Sequence, residues 1–301
     1  MTHISKTIIF FGTDEFSAVS LRELIERGFT IGAVVTKPDS RKGRGRELQA
    51  SLVKHIALEN NIPVWQPLKM VEIADRITTL QQAKNEKPVG VLVSYGKIIP
   101  QAIIDLFEPG IINVHPSLLP KYRGPSPIES AILNGDTETG VSIMQLSAEM
   151  DAGPVYKQIF FSLNDTETAP ELESKLAALG AQELVTILPS IINGSMQPQP
   201  QDDSLAVYCK LLSKNDSILD PETLTTEQAE RRVRAYIAYP KTKVTIAGYS
   251  VVITKAHIAS TSNGILDIEC SDEQFLSIDE LIGPSGRAMN SKAFLNGYAA
   301  G

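Results

Sequence analysis

The densest group of polar side chains at the end of an apolar run is Ile111-Ile112-Asn113-Val114-His115-Pro116-Ser117-Leu118-Leu119-Pro120. In an extended strand Asn113 and His115, two positions apart, project to the same face. A carboxamide N–H2 and an imidazole on one face make a donor pair suited to a carbonyl oxygen that becomes an oxyanion. Pro116 and Pro120 restrict the following loop and would hold it against a flat ligand. A lone histidine in such a place is most often an interior, hydrogen-bonded group. The amide two positions before it and the Pro-bounded loop after it favour chemistry. Asp151, in Glu149-Met150-Asp151-Ala152-Gly153-Pro154, reads by itself as a turn former. Beside His115 it would orient the imidazole, hold it charged, or take a proton from an attacking amine. Spacing alone does not bring the two together.

Two other runs end in polar turns. Phe11-Gly12-Thr13 closes the first, where a Rossmann-like fold would set a phosphate loop. Neither Gly-x-Gly-x-x-Gly nor Gly-x-x-x-x-Gly-Lys is present, so nicotinamide and nucleoside-triphosphate chemistry lose support. Val93-Ser94-Tyr95-Gly96 ends another, where glycine lets backbone approach a planar ligand. An ordinary strand-to-helix turn would look the same.

These residues need strands to present them. Lys6–Phe11, Thr30–Thr36, Ile62–Trp65, Pro88–Ser94 and Ile111–Val114 read as strands. Glu15–Arg27, Leu48–Asn60 and Val71–Lys84 read as the helices between them. That alternation indicates a doubly wound, Rossmann-like α/β domain, whose ligands bind beyond the carboxyl ends of the strands. Thr139–Leu146 and Pro154–Leu163 read as a further extended pair. Ala169–Ile192 reads as a long helix whose Leu172, Leu176, Leu179, Leu184, Ile187 and Ile191 make a packing stripe. Asn193–Asp203, rich in Pro, Gln and Asp, is the linker candidate. It divides the chain into a domain at 1–193, a linker at 194–206 and a domain at 207–301. Past it lie a helix over Thr226–Ala235 and strands at Lys243–Ile246, Ser250–Thr254, Gly264–Ile268 and Gln274–Ile278. Those suggest a small β-barrel or sandwich.

The chain has 301 residues, 43% hydrophobic and 21% charged, as expected for a globular protein of two domains. Cys209 and Cys270 are its only cysteines, which excludes a disulfide framework or Cys-rich zinc site and suits a reducing compartment. No signal peptide and no apolar run near spanning length is read, so a cytoplasmic protein without a membrane partner is expected. The net charge of −7 argues against nucleic acid, yet the charge is segregated. Lys37–Lys54 holds Lys37, Arg41, Lys42, Arg44, Arg46 and Lys54 against only Asp39 and Glu47; Arg231–Lys243 holds Arg231, Arg232, Arg234, Lys241 and Lys243 with no acid. Local patches of this kind, not total charge, make a nucleic-acid footprint.

At these residues the chain resembles the formyltransferases that use 10-formyltetrahydrofolate. The likeness is carried by FFGTDEF (10–16), VSYGKIIP (93–100), INVHPSLLPKYRGPSPIESAILNGDTETGVSIMQL (112–146) and MDAGPVY (150–156). Of these the long third element is the most specific. KLLSKNDSILD (210–220) and SGRAMNSKAFLNGY (285–298) extend it to the C-terminal domain of the methionyl-tRNA formyltransferase group. The resemblance implies a formyltransferase domain followed by an OB-like β-barrel that binds tRNA. It makes Asn113, His115 and Asp151 the catalytic set. It places Tyr95, Gly96, Ser117, Leu118, Leu119 and Pro120 at the folate site. It sets Ser40–Glu47 where this group carries a loop to the acceptor stem, so Arg41, Lys42, Arg44 and Arg46, with Arg231, Arg232 and Arg234, are expected on tRNA. The implied partners are the folate donor and methionyl-initiator tRNA, the implied state a monomer, and no metal is expected. A sugar-nucleotide formyltransferase with the same donor is the alternative. Asp14 stands where the family usually has Pro, and Ala235-Tyr236-Ile237-Ala238-Tyr239-Pro240 replaces an AFNPWP-like stretch. The segment between Asn263 and Gly283 is short for the family.

Overall fold

The computed structural model describes residues 6–42 and 47–298, with the side chain of Lys42 excepted. The first half of the chain forms β1 (Ile8–Phe11), α1 (Glu15–Glu26), β2 (Ile31–Val35), β3 (Ser40–Lys42), β4 (Glu47–Gln49), α2 (Leu52–Glu59), β5 (Val64–Trp65), α3 (Ala74–Lys84), β6 (Val89–Leu92), α4 (Gln101–Ile104), β7 (Ile111–His115) and α5 (Pro127–Leu133). Then come β8 (Glu138–Gln145), β9 (Val155–Ser162), α6 (Ala169–Ile192), α7 (Thr226–Tyr236), β10 (Thr242–Ile246), β11 (Tyr249–Ala259), β12 (Asp267–Glu269), β13 (Phe275–Ile282), β14 (Ala288–Asn290) and α8 (Ser291–Tyr298).

The chain divides into two compact units, the first comprising Met1–Arg123, Gly140–Phe161 and Glu173–Tyr208. Its sheet runs β5-β2-β1-β6-β7-β8-β9. The first five of these strands are parallel, and β8 is antiparallel to β7. Parallel strands with helices on both faces read as continuous apolar runs, and β1 and β7 are buried at every position. Strand order reverses beside β1, so the ends of β1 and β6 meet at the switch point where such sheets bind ligands. There the Thr13 hydroxyl donates to the Tyr95 carbonyl at 3.2 Å. One face packs Ile9, Phe11, Ala33, Trp65, Ile77, Tyr95, Phe107 and Ile111 into a single core. On α6, a Cβ at Gly180 would lie 2.8 Å from Cγ1 of Val114, so glycine there lets the helix close on β7.

Local chemistry explains where element ends differ from expectation. Asp14 is the N-cap of α1: its carboxylate accepts from the Ser17 amide at 3.1 Å, and it also accepts from the Ser94 hydroxyl. Helix α2 starts at Leu52 rather than Leu48, because Ser51 caps it through the Lys54 amide. The freed residues Glu47–Gln49 pair with Ser40–Lys42 as a hairpin inside the basic stretch. The short α4 and α5 carry too little periodicity to be read. Helix α6 is long and apolar enough to cross a membrane, contrary to the expectation of no such stretch. Half of its most apolar window is nevertheless buried in the protein, and Glu171, Glu173 and Lys175 are exposed near its start.

The second unit comprises Gly124–Thr139, Ser162–Leu172 and Cys209–Gly301. Its antiparallel sheet runs β10-β11-β13-β12, with β14 also on β13. One edge of β13 pairs β11; its other edge pairs β12 and then β14 in succession. Helices α7 and α8 bury Ala229, Val233 and Phe294 with Val251, Ile253, Leu276 and Leu281. Ala235 and Tyr236 of the unusual AYIAYP stretch are buried, Tyr236 under the Arg232 guanidinium at 5.2 Å.

Candidate active site

Strand β7 ends with Asn113 and His115, each 5% exposed. The His115 Nε2 lies 2.9 Å from the Tyr122 carbonyl. A carbonyl only accepts, so Nε2 carries hydrogen. In the neutral ring this leaves Nδ1 with the lone pair, and Nδ1 is 3.7 Å from Asp151 Oδ2. That is an ion-pair separation rather than a direct hydrogen bond. Among the described residues no hydrogen-bond partner takes up the Asn113 carboxamide.

Asp151 arrives from a loop between Gln145 and Pro154, whose amide and carbonyl pair at 2.8 Å. A Cβ at Gly153 would sit 1.9 Å from the Gln145 carbonyl oxygen, so only glycine lets the loop fold back this closely. Asp151 itself has φ +51°, a left-handed conformation that short polar side chains tolerate best. The sequence was therefore right to see a turn here, and the turn aims its carboxylate at the histidine.

The Pro-bounded loop is pinned from β8 and β9. Ser142, opposite His115 in the β7–β8 register, accepts from the Leu119 amide at 3.0 Å and donates to the Ser117 carbonyl at 2.7 Å. Gln158 donates to the Leu119 carbonyl at 2.6 Å, and Ser117 donates to the Lys121 carbonyl at 2.6 Å. Leu118 and Pro120 remain half-buried, while Ser117 and Leu119 are buried. Ser142 and Gln158 went unread in the sequence, where a polar position on a strand gives no sign of its partner.

Tyr95 sits differently from a ligand-lining residue. Its side chain is fully buried, edge-on to Phe11, with the hydroxyl donating to Met70 Sδ at 3.3 Å. Burial pushes its pKa up to about 12. Gly96 is exposed at φ +67°, and a Cβ there would collide with the Lys37 ammonium. In this turn Tyr95 is wholly buried, and Ser94 and Gly96 are the exposed residues.

The basic stretches also part company. Arg41 is exposed on β3; Arg44, Arg46 and the side chain of Lys42 lie outside the described residues. The base of the hairpin is fixed by Lys54, which donates to Asp39 at 2.7 Å and to Gln66 at 2.9 Å. The Lys54 ammonium and the Gln66 amide, both donating to Asp39, hold its carboxyl below the usual range. In the second unit Arg234 is 8% exposed and saturated: Nε on Glu230, Nη1 on the Glu167 carbonyl, Nη2 on Asp165. Arg231 pairs with Asp165 and Glu227, and Arg232 donates to the Asp216 and Ile218 carbonyls. Arg231 and Arg234 are thus engaged by acidic side chains of the fold, whereas the buried Nε of Arg232 has no partner among the described residues. Among the described residues no group of three or more His, Cys, Asp or Glu side chains could hold a metal ion.

Residues 6–188 match the family model described as "Formyl transferase", and residues 211–299 match "Formyl transferase, C-terminal domain". The chain belongs to the formyl transferase family. The methionyl-tRNA formyltransferase of Pelobacter propionicus is 35% identical over 97% of this chain and 93% of its own length. That of Methylococcus capsulatus is 37% identical over 97% of both chains. In structure, the N-formyltransferase of Helicobacter canadensis, solved with folinic acid and dTDP-3-aminofucose, overlays with a TM-score of 0.67. The overlay covers 91% of this chain and 98% of that one at 21% identity, a likeness of fold. This formyltransferase is therefore an enzyme whose two family domains both have counterparts in its tRNA-directed relatives.

Proposed function

We propose that this formyltransferase moves the formyl group of 10-formyltetrahydrofolate onto the α-amine of methionine esterified to initiator tRNA. The observation that carries the reading is the buried His115 facing the partly buried Asp151, with the Asn113 amide uncommitted among the described residues. The amine lone pair attacks the formyl carbon, and the carbonyl electrons move onto oxygen. Asn113 N–H and the protonated Nδ1 of His115 donate to that oxyanion, while the Asp151 carboxylate balances the imidazolium and accepts the amine proton. Collapse re-forms the carbonyl and breaks the carbon–N10 bond. N10 leaves with the proton that Asp151 took from the amine, which regenerates the carboxylate and gives tetrahydrofolate and N-formylmethionyl-tRNA. The backbone of Tyr95-Gly96 and the Ser117–Pro120 loop hold the folate.

Residues 1–193 form the catalytic domain, 207–301 the RNA-binding domain, and 194–206 join them. The enzyme works as a monomer in the cytoplasm and needs no metal. Arg41, Lys42, Arg44 and Arg46 bind RNA phosphates. In the other basic stretch that role passes from Arg231, Arg232 and Arg234 to the exposed Lys241 and Lys243. The names of the curated relatives, alike over nearly the full chain, support methionyl-tRNA as acceptor. The test supplies labelled formyl donor with methionyl-tRNA, an amino-sugar nucleotide, or no acceptor. Labelled aminoacyl-tRNA is expected; label on the sugar alone, or on neither, would overturn the acceptor.

A further inference from the structure

Residues 194–206 have the composition of a linker, yet Gln199–Tyr208 is bonded along the first unit. The Gln199 and Val155 backbones exchange a pair of hydrogen bonds at 2.8 Å. The Gln201 amide donates to the Asp151 carbonyl at 2.8 Å and to the Gly153 carbonyl at 2.7 Å. Its Oε1 accepts from Arg123 Nε at 3.0 Å and Nη2 at 2.8 Å. Arg123, 2% exposed, also reaches Asp203 at 2.6 Å and the Tyr208 hydroxyl at 3.2 Å. Its amide donates to the Val207 carbonyl at 2.9 Å.

These bonds converge on both members of the dyad. Tyr122, whose carbonyl fixes the His115 tautomer, is joined by one peptide bond to Arg123. The turn that aims Asp151 is closed by Gln201 across two of its carbonyls. We propose that Gln201 is a positioning residue of the reaction, setting the carboxylate of Asp151 against His115 while anchoring Arg123 behind Tyr122. A left-handed Asp151 is a minority conformation of a free turn, so it needs an outside hold, and Gln201 is well suited to supply one. A carboxamide offers two donors to the carbonyls and an acceptor to the guanidinium at once.

This inference rests on His115 and Asp151 being the reaction centre, and two substitutions in the full-length enzyme separate its parts. Gln201→Leu removes donors and acceptor. Gln201→Glu keeps the acceptor for Arg123 but loses both donors. Misplacing a reacting group by about an ångström costs on the order of 100-fold. Both variants should therefore lose kcat on that order, with KM for either substrate changed by less than about threefold. In 15N spectra of the imidazole, His115 Nδ1 should shift in both variants while Nε2 keeps its hydrogen. If the leucine form does not fold, the glutamate form and its spectrum decide. Wild-type turnover in Gln201→Glu, with His115→Ala inactive, overturns the positioning role alone. Full turnover in His115→Ala overturns the reading beneath it.

Discussion

The end of β7 and the arginine face of α7 bury polar side chains to a similar degree, His115 and Asn113 at 5% and Arg234 at 8% exposed. They differ in how much bonding capacity the fold uses. Every nitrogen of the Arg234 guanidinium has a protein acceptor, and its neighbours Asp165 and Glu230 close the network. At β7 one imidazole nitrogen is tied to a carbonyl, the other stands at ion-pair distance from Asp151, and the Asn113 amide has no partner among the described residues. A saturated cluster holds a fold, whereas an incompletely bonded one, rigidly mounted, is prepared for a substrate oxygen. The comparison also separates two basic stretches that look alike in sequence.

The largest effect tests the open cluster. Asn113→Ala removes one oxyanion donor, and such a loss costs about 100- to 1,000-fold in kcat. Its melting temperature should hold, because the deleted amide has no hydrogen-bond partner among the described residues. A variant that melts early and turns over normally would place Asn113 with the saturated cluster instead.

The second test contrasts the basic stretches. Each phosphate contact contributes roughly 0.7 to 0.9 to the slope of log affinity against log salt. Neutralising Arg41, Lys42, Arg44 and Arg46 should lower the slope for tRNA by roughly three. Neutralising Arg231, Arg232 and Arg234 should leave the slope alone and lower stability. Equal slopes in the two sets would erase the distinction.

The smallest effect lies inside the saturated cluster. Hydrogen bonds from Arg231 and Arg234 hold the Asp165 carboxyl low, and Lys210 pulls Asp216 down to about 2. A carboxylate whose pKa is lower folded than unfolded stabilises fully above its unfolded value and stops doing so as pH falls through the folded one. The second unit should therefore weaken between the ordinary 3.8 and about 2. Asp165→Asn should lower the melting temperature at neutral pH by about 2–4 °C, about 1 kcal/mol for a half-exposed partner. It should also flatten the acid loss, while turnover stays within about twofold. Unchanged melting at both pH values would show that the pairing carries no stability.

Much of the first unit was legible in sequence because parallel strands buried on both faces must be apolar throughout, as in Ile8–Phe11 and Val89–Leu92. Asn113 and His115 could be paired because two residues on one strand share a face. Asp151 could not, since its approach depends on Gly153 packing under Gln145, a contact made only after folding. Gln201 was hidden by its company: prolines and glutamines read as linker, and nothing local shows that one glutamine is bonded to Asp151. The pairing of Arg231 and Arg234 with Asp165 was hidden too, because that acid is distant in the chain.

Single-turnover formyl transfer to methionyl-tRNA by His115→Ala tests the central claim most directly. With both substrates saturating, turnover should fall at least about 100-fold, in an enzyme that remains folded. Near-normal transfer by a folded His115→Ala enzyme would contradict the account.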